Sequence, residues 1–159
     1  MSNPFSTELT RYLEQQQVPF TLLLQEKPTL TIEETANARG INAKQMVKSI
    51  LLRDMGGQYA LACVPGDQAV DPKKVRSVLT SRRMTCVSLE DVPQITGYQV
   101  GTVAPLLLAT EMPIVLDPQL LDNNLVTISS GHPMAGIALT PDSLLRLCQP
   151  TLASICRDE

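Results

Sequence analysis

Residues 46–64 read MVKSILLRDMGGQYALACV, and this stretch decides the fold. Two apolar runs, 47–53 and 58–64, flank Gly56-Gly57. Adjacent glycines supply the positive φ of a tight hairpin turn, so the spacing predicts an antiparallel strand pair. In an extended first run Lys48 shares its face with Met46, Ile50 and Leu52. An unpaired ammonium among buried apolar side chains is strongly unfavourable. Either the side chain escapes to water at the strand's start, or a pocket opens there and an anion meets it.

Outward from the hairpin, helices and strands mix. Upstream, 6–17 reads as a helix that Val18-Pro19 ends, because proline disfavours helix at the residue before it. A strand follows at 20–24. Thr31-Ile32-Glu33-Glu34 is a capping-box pattern, Gly40 closes the helix it opens, and Asn42 caps one short turn. Downstream, Pro65-Gly66-Asp67 is a turn, and Asp71-Pro72 opens a basic helix to about Arg82. Strands are expected at 84–87, 113–116, 125–129 and 136–140, with a helical turn at 118–123. Ser88 is the expected cap of a helix over 89–96, and Thr140-Pro141-Asp142 starts a last helix to about Cys148. Strict βαβ alternation is absent, which excludes a Rossmann domain and predicts an α/β or mixed α+β fold around a mixed sheet.

The 159 residues suffice for one domain, 1–159, and no repeat or linker divides them. Hydrophobic residues at 43% and charged residues at 18% exclude general disorder. With no Trp, two Phe and three Tyr, the core must be aliphatic. No apolar run reaches membrane-span length, and the N-terminus lacks a signal-peptide pattern. Cys63, Cys86, Cys148 and Cys156 show no CxxC spacing, so free thiols in a reducing cytoplasm are expected. Charge is uneven within a net −3. Residues 39–83 hold nine basic and three acidic residues, a net +6, whereas 84–145 hold no Lys or Arg and six acids. That asymmetry is compatible with one face meeting phosphates, or with basic residues that merely cluster on solvated helices.

The single histidine, His132, follows Ser129-Ser130-Gly131. It cannot by itself supply a zinc site, and neither a Ser-His-Asp triad nor a Cys-His dyad is forced by the spacing. The loop Gly97–Pro105 (GYQVGTVAP) can present backbone N–H groups to a carbonyl oxygen or a phosphate. It is not a Walker loop, since the GK[ST] ending is missing. Lys48 is the best chemical suspect from pattern alone.

The order of these features resembles the YbaK / prolyl-tRNA synthetase-associated domain family. It runs from Asn42–Lys48-Ser49 through Val64-Pro65-Gly66-Asp67 and Val70-Asp71-Pro72-Lys73-Lys74-Val75. It continues to Thr96-Gly97-Tyr98, Gly101, Pro105, and Ile128-Ser129-Ser130-Gly131. The likeness covers about residues 5 to 157, and the tail LASICRD (152–158) is similar to the Cys-tRNA(Pro) deacylase branch. The resemblance implies a compact, barrel-like mixed sheet surrounded by helices, and a cytoplasmic, cofactor-independent, metal-free hydrolase. Its implied substrate is mischarged aminoacyl-tRNA, chiefly tRNA(Pro) carrying a Cys- or Ala-type residue, beside prolyl-tRNA synthetase. The implied catalytic positions are Lys48 and Gly101. Thr102, Pro105, Ser130, Gly131 and His132 would bind substrate. Lys44, Lys73, Lys74 and Arg76, with Arg39, would contact the acceptor-stem backbone. No enzyme nucleophile is needed, because water, a ribose hydroxyl or a substrate thiol can attack.

Two departures bear on activity. Thr102 stands where the family often has a second glycine, and Leu107 where it often has glycine after Pro-Leu. They motivate the rival expectation, a tRNA- or oligonucleotide-binding module without hydrolysis. A His132-centred hydrolase of small esters is a third.

Overall fold

The computed structural model describes residues 3–158. Its strands are β1 (Thr21–Leu24), β2 (Val47–Asp54), β3 (Tyr59–Pro65), β4 (Met84–Cys86), β5 (Ile114–Leu116), β6 (Val126–Ser129), β7 (Ala135–Leu139) and β8 (Thr151–Leu152). Its α-helices are α1 (Glu8–Gln15), α2 (Ile32–Arg39), α3 (Pro72–Leu79), α4 (Val92–Thr96) and α5 (Pro141–Cys148). The mixed α+β class read from the sequence is the class observed.

The hairpin at 46–64 forms as β2 and β3, paired antiparallel from Val47–Pro65 to Arg53–Tyr59. Asp54 closes it, its Oδ1 accepting the N–H groups of Gly56 and Gln58, each at 2.9 Å. A five-stranded sheet runs β4-β2-β3-β5-β8, with β3–β5 and β5–β8 parallel. A second, antiparallel sheet runs β1-β7-β6. The barrel-like closure expected from the resemblance is not formed. Instead a bridge between Met46 and Thr127 joins two open sheets. The reason lies on the outer edge of β2, where β4 pairs with residues 52–54 and β6 reaches only Met46.

Side chains from the two faces of β2 and β3 enter different cores. Val47, Leu51, Leu61 and Cys63 pack with Leu9, Leu13, Leu116, Ile128 and Ile137. Leu52, Ala60, Ala62 and Val64 pack beneath Val75 of α3, with Val115 and Ile155. Burial of both faces explains why these strands read as continuous apolar runs rather than alternating ones.

The helix expected over 89–96 is split into a 3-10 turn, Leu89–Asp91, and the short α4. Pro93 has no N–H to give the carbonyl of Leu89, so one α-helix cannot run through it. The Ser88 side chain makes no capping bond. The capping box at Thr31 is half formed. Thr31 Oγ1 accepts from Glu34 N–H at 3.1 Å, but the Glu34 carboxylate accepts from Leu30 N–H instead. The sequence reading missed β8, whose two exposed residues pair through their backbone with β5. Buried Asp117 anchors that region, accepting N–H groups from Gln119, Ile155 and Cys156.

Candidate active site

A cleft of about 650 Å³ opens where the two sheets part. Its floor includes β2 residues Val47 to Leu51 and, from β6, Thr127 to Ser129. Val87 N–H donates to Leu51 carbonyl at 3.0 Å, so the odd-numbered residues of β2 point their peptide groups toward this edge. Between Leu51 and the bridge at Met46 no strand covers that edge. The peptide edge around Ser49 therefore belongs to the cleft.

Lys48 is the second residue of β2, half-exposed, and lines the cleft. It forms no ion pair or side-chain hydrogen bond among the described residues. The apolar neighbours on its face, Ile50 and Leu52, lie further along the strand, while Lys48 itself sits beside open space. The glycine-punctuated loop forms another wall through Val100, Gly101, Thr102 and Val103. Gly101 has φ +86, and a Cβ there would meet nothing within 4 Å. The backbone conformation, not space, requires glycine at this position. No acceptor within the described residues engages the N–H groups of Gly101 and Val103, whereas Thr102 N–H donates to Gln99 carbonyl.

Thr102 is buried and turns its hydroxyl back on its own loop, Oγ1 donating to Gln99 carbonyl at 2.8 Å. Ser129 Oγ donates to Thr102 carbonyl at 2.6 Å and accepts Gly131 N–H at 3.0 Å. One serine thus ties the glycine loop to the turn that carries His132. His132 lines the cleft. Its Nδ1 accepts Met134 N–H at 3.0 Å, leaving Nε2 for other partners, and its ring stands edge-on to Phe5 at 5.1 Å. No Ser or Cys hydrogen-bonds to its imidazole ring, so no triad or dyad is assembled among the described residues. Cys63 is buried, and desolvation pushes its thiol up to about 12, the wrong direction for a nucleophile.

The other residues singled out in the sequence lie elsewhere. Ser130 is fully buried, its Oγ donating to Ala135 carbonyl at 2.7 Å and accepting His132 N–H at 3.1 Å. Pro105 is buried behind the glycine loop, and Gly131 forms the turn against Tyr98. None of the three lines the cleft; all shape the loops that do. Lys44 is exposed in the 3-10 turn Ala43–Gln45, just before Met46. Lys73 and Arg76 are exposed on α3, and Lys74 Nζ is tied to Cys156 carbonyl and Asp158, both at 2.8 Å. Arg39, grouped with them by charge, is instead half-buried in the cleft wall. The cleft lining thus includes Lys48 and Arg39 and, among the described residues, no Asp or Glu. Among the described residues no group of three or more His, Cys, Asp or Glu is placed to hold a metal ion, and no helix is long and apolar enough to cross a membrane.

A model of the aminoacyl-tRNA editing domain matches residues 26–147, the span that carries the whole cleft. The chain belongs to the aminoacyl-tRNA editing domain family. It is similar to the "Putative Cys-tRNA(Pro)/Cys-tRNA(Cys) deacylase EbsC" of Enterococcus faecalis, 24% identical over 96% of this chain and 94% of that one. It is also similar to the multifunctional Ser/Thr-tRNA deacylase ProXp-y of Escherichia coli K12, 25% identical over 79% of this chain and 77% of that one. A crystal structure of "a putative trans-editing enzyme for prolyl tRNA synthetase" superposes with a TM-score of 0.86 at 26% identity, covering 99% of this chain and all of that one. In this editing domain, then, loop peptides and the cations Lys48 and Arg39 line the cleft, and among the described residues no Ser or Cys is hydrogen-bonded to the His132 ring as an activated nucleophile.

The sequence reading did not find the open edge of β2. It arises because β4 is three residues long and stops at Leu52, a tertiary fact with no local signature. Nor did it find the role of Ser129 as tie between loops, since its partner Thr102 is 27 residues away.

Proposed function

We propose that this editing domain, acting as one unit over the whole chain, hydrolyses the ester of mischarged tRNA, with tRNA(Pro) bearing a Cys- or Ala-type residue as its substrate. The observation that carries the reading is the cleft itself. It holds Lys48 and Arg39 in a protein of net charge −3, no carboxylate among the described residues lines it, and its wall includes Gly101 and Val103, whose N–H groups meet no acceptor among the described residues.

Ester hydrolysis develops negative charge on the carbonyl oxygen, and fixed N–H donors stabilise that charge without reorganising. The Gly101 loop is held for this by Ser129 and by the buried Thr102 hydroxyl. Lys48 holds polar groups of the substrate beside the reacting ester. The attacking oxygen comes from water, which also supplies the proton taken by the departing ribose oxygen. The bond that breaks joins the carbonyl carbon to the ribose oxygen, which leaves with a proton. The names of the EbsC relative and of the trans-editing structure support tRNA(Pro), and the ProXp-y relative makes Ser and Thr the competing side chains.

The test is deacylation of Cys-, Ala-, Ser-, Thr- and Pro-tRNA(Pro) by wild type and Lys48→Ala. Hydrolysis of one mischarged species, sparing of Pro-tRNA(Pro) and a loss of about 10²-fold in the variant are expected. Salt-sensitive tRNA binding with no hydrolysis of any species would replace the enzyme by a binding module.

A further inference from the structure

Arg39 is the best-held cation of the cleft. It ends α2, and its Nε donates to Gln25 Oε1 at 2.9 Å. Gln25 is buried and fixed in turn, its Nε2 donating to Lys27 carbonyl at 2.9 Å and to Thr29 Oγ1 at 3.3 Å. The guanidinium lies over the backbone of Gly136 in β7, where a Cβ would stand 3.1 Å from Arg39 Cζ and collide with Nη1. Glycine at 136 leaves room for the arginine head. No carboxylate lies within ion-pair distance of Arg39, and its Nη1 and Nη2 groups donate to no acceptor among the described residues. Burial lowers its pKa from the usual value, yet a guanidinium stays charged at neutral pH.

A half-buried, oriented, unpaired guanidinium is costly to keep unless a ligand completes it. Its two free amino groups form a planar fork, which matches two oxygens of one phosphate. Lys48 shares the cleft but is held by no hydrogen bond. We propose that Arg39, rather than Lys48, binds the phosphodiester that precedes the terminal adenosine of the substrate's CCA end. The assignment rests on the editing reading for the identity of the nucleic acid.

The test uses two probes, the dinucleoside monophosphate CpA and adenosine, titrated by NMR against wild type, Arg39→Gln, Gly136→Ala and Lys48→Ala. Wild type should bind CpA about 10-fold more tightly than adenosine, as a charge-assisted bidentate contact implies. Arg39→Gln should erase that preference and leave adenosine affinity unchanged. Gly136→Ala should weaken it while retaining the arginine, and Lys48→Ala should keep it. On aminoacyl-tRNA, Arg39→Gln should raise KM about 10-fold and make the log KM against log salt dependence shallower by about 0.7. Equal binding of CpA and adenosine by wild type, or a preference that survives Arg39→Gln, overturns the assignment. The two readings separate cleanly. An Arg39-dependent CpA preference in a protein that deacylates nothing sinks the editing reading and keeps this one. Deacylation with a KM indifferent to Arg39 does the reverse.

Discussion

Leu107 holds φ at +55, a left-handed conformation that crowds any Cβ, and its side chain is 41% exposed. Such a position costs a non-glycine residue about 1–2 kcal/mol, and little burial offsets it. Leu107→Gly should therefore raise stability by up to about 1 kcal/mol in urea denaturation; a lowered midpoint would show that the leucine packs usefully. Gly101 is the mirror case. Its φ of +86 is open to glycine and strained for alanine, and the residue lines the cleft. Gly101→Ala should lower deacylation about 10²-fold through kcat, with a melting temperature within a few degrees of wild type. Unchanged kcat would remove the loop from the chemistry. Lys48→Ala belongs at the same scale: the side chain is not in either core, so its loss should leave the thermal melt nearly unmoved.

Among elements, the segment after α5 depends most on a single side chain. Asp117 accepts N–H groups from Ile155 at 3.0 Å and Cys156 at 3.3 Å, and Val70 pairs with Cys156. Asp117→Ala leaves those buried amides without an acceptor and should cost about 3 kcal/mol in denaturant unfolding. Burial raises the Asp117 pKa, but the N–H donors outweigh it and the net shift is downward. A carboxyl lowered in the folded state stabilises above its unfolded pKa of about 4 and loses that contribution as pH falls through the folded value. Stability of the wild type should thus decline below about pH 4, and the wild-type advantage over Asp117→Asn should shrink in the same window. The elements differ in how plainly the sequence announces them. Gly56-Gly57 marks the hairpin, Asp71-Pro72 the start of α3 and Thr140-Pro141 that of α5, because caps and turns are local chemistry. β8 and the open edge of β2 are invisible there, because each is defined by what another strand does. Lys48, Gly101, Thr102 and His132 were legible as a set only through family resemblance, and the fold brings them to one cleft. Ser130 and Pro105 share the same motifs yet support loops from behind, a distinction that spacing does not encode.

At the scale of the whole molecule, charge is distributed against its net value. The cleft carries Lys48 and Arg39, Lys44 is exposed just before Met46, and Lys73 and Arg76 are exposed on α3, which packs over Leu52, further along the β2 face that carries Lys48. If Arg39 alone meets a phosphate, the log KM for tRNA should rise with log salt with a slope of about 0.7; engagement of Lys73 and Arg76 on α3 as well would steepen it toward about 2.5. Lys73→Glu with Arg76→Glu decides between the two, since a shallower slope in the double variant places the acceptor stem on α3 and an unchanged slope removes it.

The strand order has a consequence for biogenesis. One edge strand of the larger sheet, β8, is also the last strand among the described residues, and it is laid parallel on β5, whose other neighbour is β3. Chains emerge from the ribosome N-terminus first, and parallel, distant pairings are slow to form. Until residues 151–156 are free, a nascent copy has β5 as an uncovered rim and Asp117 without two of its donors. The larger sheet of a domain that edits aminoacyl-tRNA is therefore closed only once residues 151–156 have themselves been translated.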